Sequence, residues 1–138
     1  MKNFSQFINE NISKWKQNWT TDIDKNQKIG DILENYDVLD YVTSFHSRDD
    51  FDDSDFYERI MEFDHFKYEI VDIEKIDLDS FYVDEEIINE YIKDFKESGT
   101  YPPPVLKNDL EIIDGTHRLN ALYELGIKKV RCYIGYKE

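Results

Sequence analysis

The sequence has a single cysteine, Cys132, so no disulfide can form within the chain. It is also short of base. Lys and Arg together number 17 against 31 Asp and Glu, a formal charge of −14. A polyphosphate backbone is gripped by cations that displace its counterions, so DNA is disfavoured as a partner. No run of about 18 apolar residues occurs, and the first residues do not read as a secretory leader. The expectation is therefore a soluble, cytoplasmic protein with no membrane partner. Histidine is scarce too: His46 and His65 lack partners at metal-ligand spacing. The acidic run from Asp50 fails as a calcium loop, because Asp55 stands where glycine is needed and Met61 where glutamate is needed.

What is present suffices for a fold. Apolar residues make up 40% and aromatics 15%, enough for a packed interior despite 35% charged residues. A chain of 138 residues fits one core, or one domain with a helical extension.

Two periodicities divide the sequence. Phe4, Phe7, Ile8, Ile12 and Trp15 repeat at helical spacing, as do Ile29, Ile32, Leu33, Tyr36, Leu39 and Val42, the latter as one helix or two broken near Asn35. Ser54 or Asp55 is placed to cap a third helix carrying Phe56, Tyr57, Ile60 and Phe63. From Lys67 the pattern becomes strand, helix, strand, strand, helix, strand. "KYEIVDIEKIDL" is a β-rich strand. "VDEEIINEYIKDF" is a helix with Asp84 as N-cap, an inner stripe of Ile87, Ile88, Tyr91, Ile92 and Phe95, and Gly99 just past its end. "PPPVLKNDLEIID" holds two short strands around Asn108-Asp109, "THRLNALYEL" a helix ended by Gly126, and "KVRCYIG" a strand with Val130, Cys132 and Ile134 facing inward. The expected organisation is an acidic helical extension over residues 1–66 and an α+β domain over residues 67–138.

The segment "IIDGTHRLNA", residues 112–121, is where chemistry concentrates. Ile112 and Ile113 demand burial, Gly115 relieves a sharp turn, and Leu119, Leu122 and Leu125 open an apolar helix. A helix N-terminus offers unpaired N–H groups and partial positive charge, so Gly115, Thr116, His117 and Arg118 can hold a phosphate, with Arg118 as a bidentate fork. Asp114 is placed to hold Mg²⁺ or to orient His117. An ordinary Asp-Gly turn with an exposed histidine and a surface-paired arginine has the same letters.

In its order "YEIVDIEKIDL", "DEEIINEYIKDFKESG", "PPPVL" and "EIIDGTHRLNALYELGIKKVRCYI", the chain resembles the ParB N-terminal/sulfiredoxin-like superfamily over residues ~67–136. The resemblance implies a small mixed sheet with flanking helices, and a nucleotide-phosphate site at Gly115, Thr116, His117 and Arg118. Asp114 matches the Asp-Gly-x-His-Arg branch, which includes free-serine kinases and proteins labelled ParB-like nucleases. This implies a purine nucleotide, ATP or ADP ahead of CTP, with Mg²⁺ at Asp114 and with Asp114 and His117 as catalytic groups. The chemistry would be transfer of the terminal phosphate to a small-molecule or protein acceptor, or its hydrolysis. The branch's general base is a glutamate that has no ungapped counterpart here; Asp77, Asp79 and Glu85 are nearby, and Asp79 is the choice. Thr116 stands where sulfiredoxins carry their reactive cysteine, which excludes sulfinic-acid reduction. The arginine-rich series of chromosome-partitioning ParB proteins is absent.

Two further readings accompany this one. A nuclease would need a basic groove, which the sequence offers only at Lys128, Lys129 and Arg131. An acidic protein could instead bind and inhibit a basic host protein. "MKNFSQFINE" resembles the head-targeting peptides of T-even-like bacteriophages, which would place the protein in the phage head and then in the bacterial host's cytoplasm.

Overall fold

In the computed structural model, residues 20–21, 27–45, 53–79 and 83–137 are described. The helix expected over residues 3–16, the resemblance to a head-targeting peptide and His46 all lie outside them. The fold is α+β, a five-stranded mixed sheet with helices on both faces. In chain order its strands are β2 (Ile32–Glu34), β3 (His65–Asp72), β5 (Val105–Leu106), β6 (Ile112–Asp114) and β7 (Lys129–Tyr136). They lie side by side as β2-β3-β7-β5-β6. A separate parallel pair joins β1 (Thr20–Thr21) to β4 (Thr100–Tyr101). The helices are α1 (Asn35–Phe45), α2 (Asp53–Met61), α3 (Glu85–Ser98) and α4 (Thr116–Glu124).

The backbone of the sheet is the antiparallel β3/β7 ladder, which runs from His65↔Tyr136 to Asp72↔Lys129. Side chains alternate faces along a strand, so this ladder sorts its residues into two cores. Val71, Val130, Cys132 and Ile134 join Ile88 and Phe95 of α3 and Leu119 and Leu122 of α4 on one face. Phe66, Tyr68 and Tyr133 join Val38 and Val42 of α1 and Ile60 of α2 on the other. Each fully buried aliphatic or aromatic side chain contributes about 1.5–3 kcal/mol from the water it sheds.

Four expectations change. Ile32 and Leu33 lie in a strand, and the helix starts only at Asn35, because residues 32–34 find a ladder partner in residues 65–67 of β3. Ile87 is 37% exposed: the inner stripe of α3 runs through Ile88 and Phe95, and Ile87 lies one step around the helix from it. Helix α2 begins at Asp53, ahead of both proposed caps. The division expected at 66/67 falls inside β3, and β2, α1 and α2 form a strand and a layer of the same sheet unit.

Other features stand where the sequence put them. Asp84 caps α3 by accepting the Glu86 N–H at 2.9 Å, and Gly99 ends it at φ 71°. Val130, Cys132 and Ile134 all face the core. Among the described residues no helix is long and apolar enough to cross a membrane.

Candidate functional site

Strand β6 ends at Asp114, Gly115 turns the chain, and α4 begins at Thr116. Gly115 has φ 107°, a conformation that side-chain-bearing residues rarely adopt. Space forbids a side chain as well: a Cβ there would stand 3.0 Å from both Arg118 Nη2 and Pro104 Cβ. The corner is therefore pressed against the loop Pro102-Pro103-Pro104.

That loop can only accept hydrogen bonds, because proline has a carbonyl and no N–H. Three elements supply the donors. Arg118 Nη1 of α4 donates to Pro102 O at 3.3 Å, Tyr41 Oη of α1 to Pro103 O at 2.7 Å, and the Tyr133 N–H of β7 to Pro104 O at 2.9 Å. Every carbonyl of the triplet is thus used to fix the loop over the corner.

Arg118 was expected to reach outward as a phosphate fork. The structure places it inward. Its side chain is 5% exposed and pairs with Asp114, 4% exposed, through Nη2 and Oδ2 at 2.5 Å. Burial works against the guanidinium's charge, but Asp114, Tyr41 and Tyr91 together outweigh it and hold its pKa above the ordinary value. Tyr41, deprived of water beside this pair, has its phenol pKa pushed far up, with Arg118 pulling the other way. The pair and the tyrosine form a buried polar post beneath the turn.

The same geometry bears on Asp114 as a Mg²⁺ ligand. Its carboxylate is buried and engaged with Arg118, and among the described residues no three His, Cys, Asp or Glu side chains gather in a group that could hold a metal. A hard divalent cation wants several oxygen ligands and retains its waters, so a resident Mg²⁺ at Asp114 does not fit.

Gly115, Thr116 and His117 remain half-exposed at the rim. His117 Nε2 accepts the main-chain N–H of Asp84 at 3.0 Å, joining the first turn of α4 to the cap of α3. Asn120 makes a second link: its Nδ2 donates to Thr116 O at 2.9 Å and to Leu78 O at 3.4 Å. Asp79, next to Leu78, is exposed on this turn, and its N–H donates to Asp77 Oδ1 at 3.0 Å. The structure thus gathers Gly115, Thr116, His117 and the turn of Asp79 at one rim, and sets Asp114 and Arg118 beneath it.

Sequence reasoning missed three contributors. Tyr41 and Asn120 are joined to the corner by contacts distant in sequence. Arg59 of α2 donates to Ile112 O at 2.5 Å and to Ile113 O at 3.4 Å, using carbonyls of the edge strand that leads into the turn. The buried role of Arg118 did leave a trace, since an acid and a base four residues apart are spaced to meet. A groove beside Pro102 is lined by Tyr91, Asp94, Phe95 and Glu97. It lies along the C-terminal part of α3, and its two carboxylates make it a poor seat for phosphate.

No family model matches the chain, and no curated protein matches it. Among solved structures it is similar to a Pnob8-like ParB-N domain, with 22% identity and a TM-score of 0.45, over 53% of this chain and 31% of that one. The chain thus spans about a third of that structure's length.

Proposed function

We propose that the Gly115 corner binds the phosphates of a purine nucleotide, ATP or ADP, taken up as its Mg²⁺ complex. The observation that carries this reading is the undressed start of α4. Gly115 provides no capping side chain, and the first turn contains no acid, so the partial positive charge of this helix start favours an anion beside it. Thr116 and His117, half-exposed on that turn, supply polar side chains beside the amides.

The metal enters with the nucleotide. Asp84, Glu85 and Glu86 stand at the neighbouring start of α3, and Asp77 and Asp79 on the turn that Asn120 ties to α4; the field of these carboxylates opposes a bare polyphosphate. Mg²⁺ already coordinated by phosphate oxygens offsets that repulsion, which is the usual way this ion is carried into phosphate sites. Hydrolysis of the terminal phosphate, or its transfer to a small-molecule or protein acceptor, is the activity this reading carries. Asp79, exposed on the turn tied to α4, is its candidate base.

Titration calorimetry of the full chain with ATP, ADP and CTP, each with and without Mg²⁺, tests the proposal. Heat is expected with the Mg²⁺ complexes of the purine nucleotides, and weaker binding in their absence. His117→Ala should weaken binding roughly 2- to 10-fold, the effect of losing one neutral donor worth about 0.5–1.5 kcal/mol. Absence of heat with all three nucleotides would discard it.

A further inference from the structure

The Asp84–His117 contact fixes more than the distance between two helices. A neutral imidazole has one protonated nitrogen and one lone-pair nitrogen, and which is which is decided by its partners. The main-chain N–H of Asp84 can only donate. Because it points at Nε2 from 3.0 Å, Nε2 must be the lone-pair nitrogen and the ring proton must sit on Nδ1. Asp84 is itself held in place, since its carboxylate accepts the Glu86 N–H at 2.9 Å and its carbonyl accepts the Ile88 N–H at 3.1 Å.

We infer that Asp84 is a positioning residue for His117: through its main-chain N–H it holds the imidazole as the Nδ1–H tautomer, so that the ring presents one N–H donor and no acceptor to whatever binds the rim. An anion with lone pairs, such as a phosphate oxygen, is then accepted, and a ligand group that needs an acceptor from the ring is refused. The inference deepens the nucleotide reading and rests on it only for the identity of the anion. The tautomer itself is a property of the unliganded chain.

The test separates the two. The full chain is labelled with ¹⁵N in its histidine rings, His117 is assigned by its loss in His117→Gln, and spectra are recorded at about pH 8, where an ordinary imidazole is neutral. The wild type should show a lone-pair-type Nε2 and a protonated Nδ1 for His117. Asp84→Ala deletes the capping carboxylate and keeps the N–H, so it should keep this signature. Asp84→Pro deletes the N–H and should give a mixture of tautomers.

Affinity for Mg²⁺-ATP should fall several-fold in Asp84→Pro relative to Asp84→Ala. A protonated Nε2 in the wild type would overturn the inference whether or not Asp84→Pro folds. A mixed-tautomer Asp84→Pro that binds as tightly as Asp84→Ala would overturn it also. Absence of nucleotide binding by a wild type with the Nδ1–H signature would instead remove the nucleotide reading and leave the tautomer assignment standing.

Discussion

Helices α3 and α4 pack against one another on the same face of the sheet, yet their first turns are finished in opposite ways. The start of α3 is closed by the Asp84 carboxylate and followed by Glu85 and Glu86, so its positive end is neutralised from within the chain. The start of α4 has glycine at the cap and no acid in its first turn. Glycine at the start of α4 is required by φ 107° and by the close approach of Pro104, and its consequence is that the amides of Thr116 and His117 meet no side-chain cap from that position.

The largest effect should come from breaking the post beneath the corner. Arg118→Ala leaves the Asp114 carboxylate buried without its partner, and should cost about 3–5 kcal/mol in urea denaturation. The double change Asp114→Leu with Arg118→Met should recover much of that loss, because no uncompensated charge remains. A double variant as unstable as the sum of its singles would show that the pair is not coupled. Loss of nucleotide binding in Arg118→Ala would report unfolding as much as a missing ligand contact, so His117 is the informative position.

Next is the contrast between two glycines. Gly99, at φ 71°, has nothing within 4 Å of where a Cβ would go, so Gly99→Ala should cost about 1 kcal/mol of backbone strain. Gly115→Ala adds the displacement of Pro104 to its strain and should cost about 2–3 kcal/mol. Equal midpoint shifts would mean that the Pro104 loop gives way easily. Third, Asp84→Ala removes the dressed end of α3 and should cost about 1 kcal/mol, read as a lower thermal midpoint with the α4 corner intact.

Much of this contrast is legible in the sequence. The Asp84 cap, the Gly99 stop, the strand–glycine–helix corner and the inward Val130, Cys132 and Ile134 follow from local spacing, and all are found where expected. Burial pushes the Cys132 thiol pKa far up, as befits a structural thiol. What local spacing could not reveal depends on pairing across the chain. Ile32 and Leu33 fit a helix by period, and become a strand only because β3 offers a ladder. Arg118 has a surface residue's chemistry, but it sits in the turn of α4 beside the buried Leu119, and its guanidinium is satisfied by Asp114 and by a proline carbonyl 16 residues away. The three donors to the proline triplet come from α1, α4 and β7, and no window of sequence contains them all.

The smallest effect lies far from the corner, at the end of the β3/β7 ladder. Tyr136 donates to Glu69 Oε2 at 2.7 Å, and its phenol pKa is pushed up to about 12, by burial first and by Glu69 second. A folded-state pKa above the ordinary value near 10 means that the native state holds this proton more tightly. The stability it provides is present below about pH 10 and is lost as pH rises through about 12. Tyr136→Phe should flatten the fall in urea midpoint over that window, modestly, since the ring is only partly buried. An unchanged slope would mean that other groups govern the alkaline limit.

The claim that the undressed start of α4 is an anion site is tested most directly by titrating Mg²⁺-ATP into the wild type and His117→Ala at low ionic strength. The account predicts measurable heat for the wild type and affinity lower by roughly 2- to 10-fold for the variant, whose thermal midpoint without nucleotide should fall only slightly, by the loss of the acceptor for the Asp84 N–H. No heat with the wild type, or identical affinities in the two proteins, would contradict it.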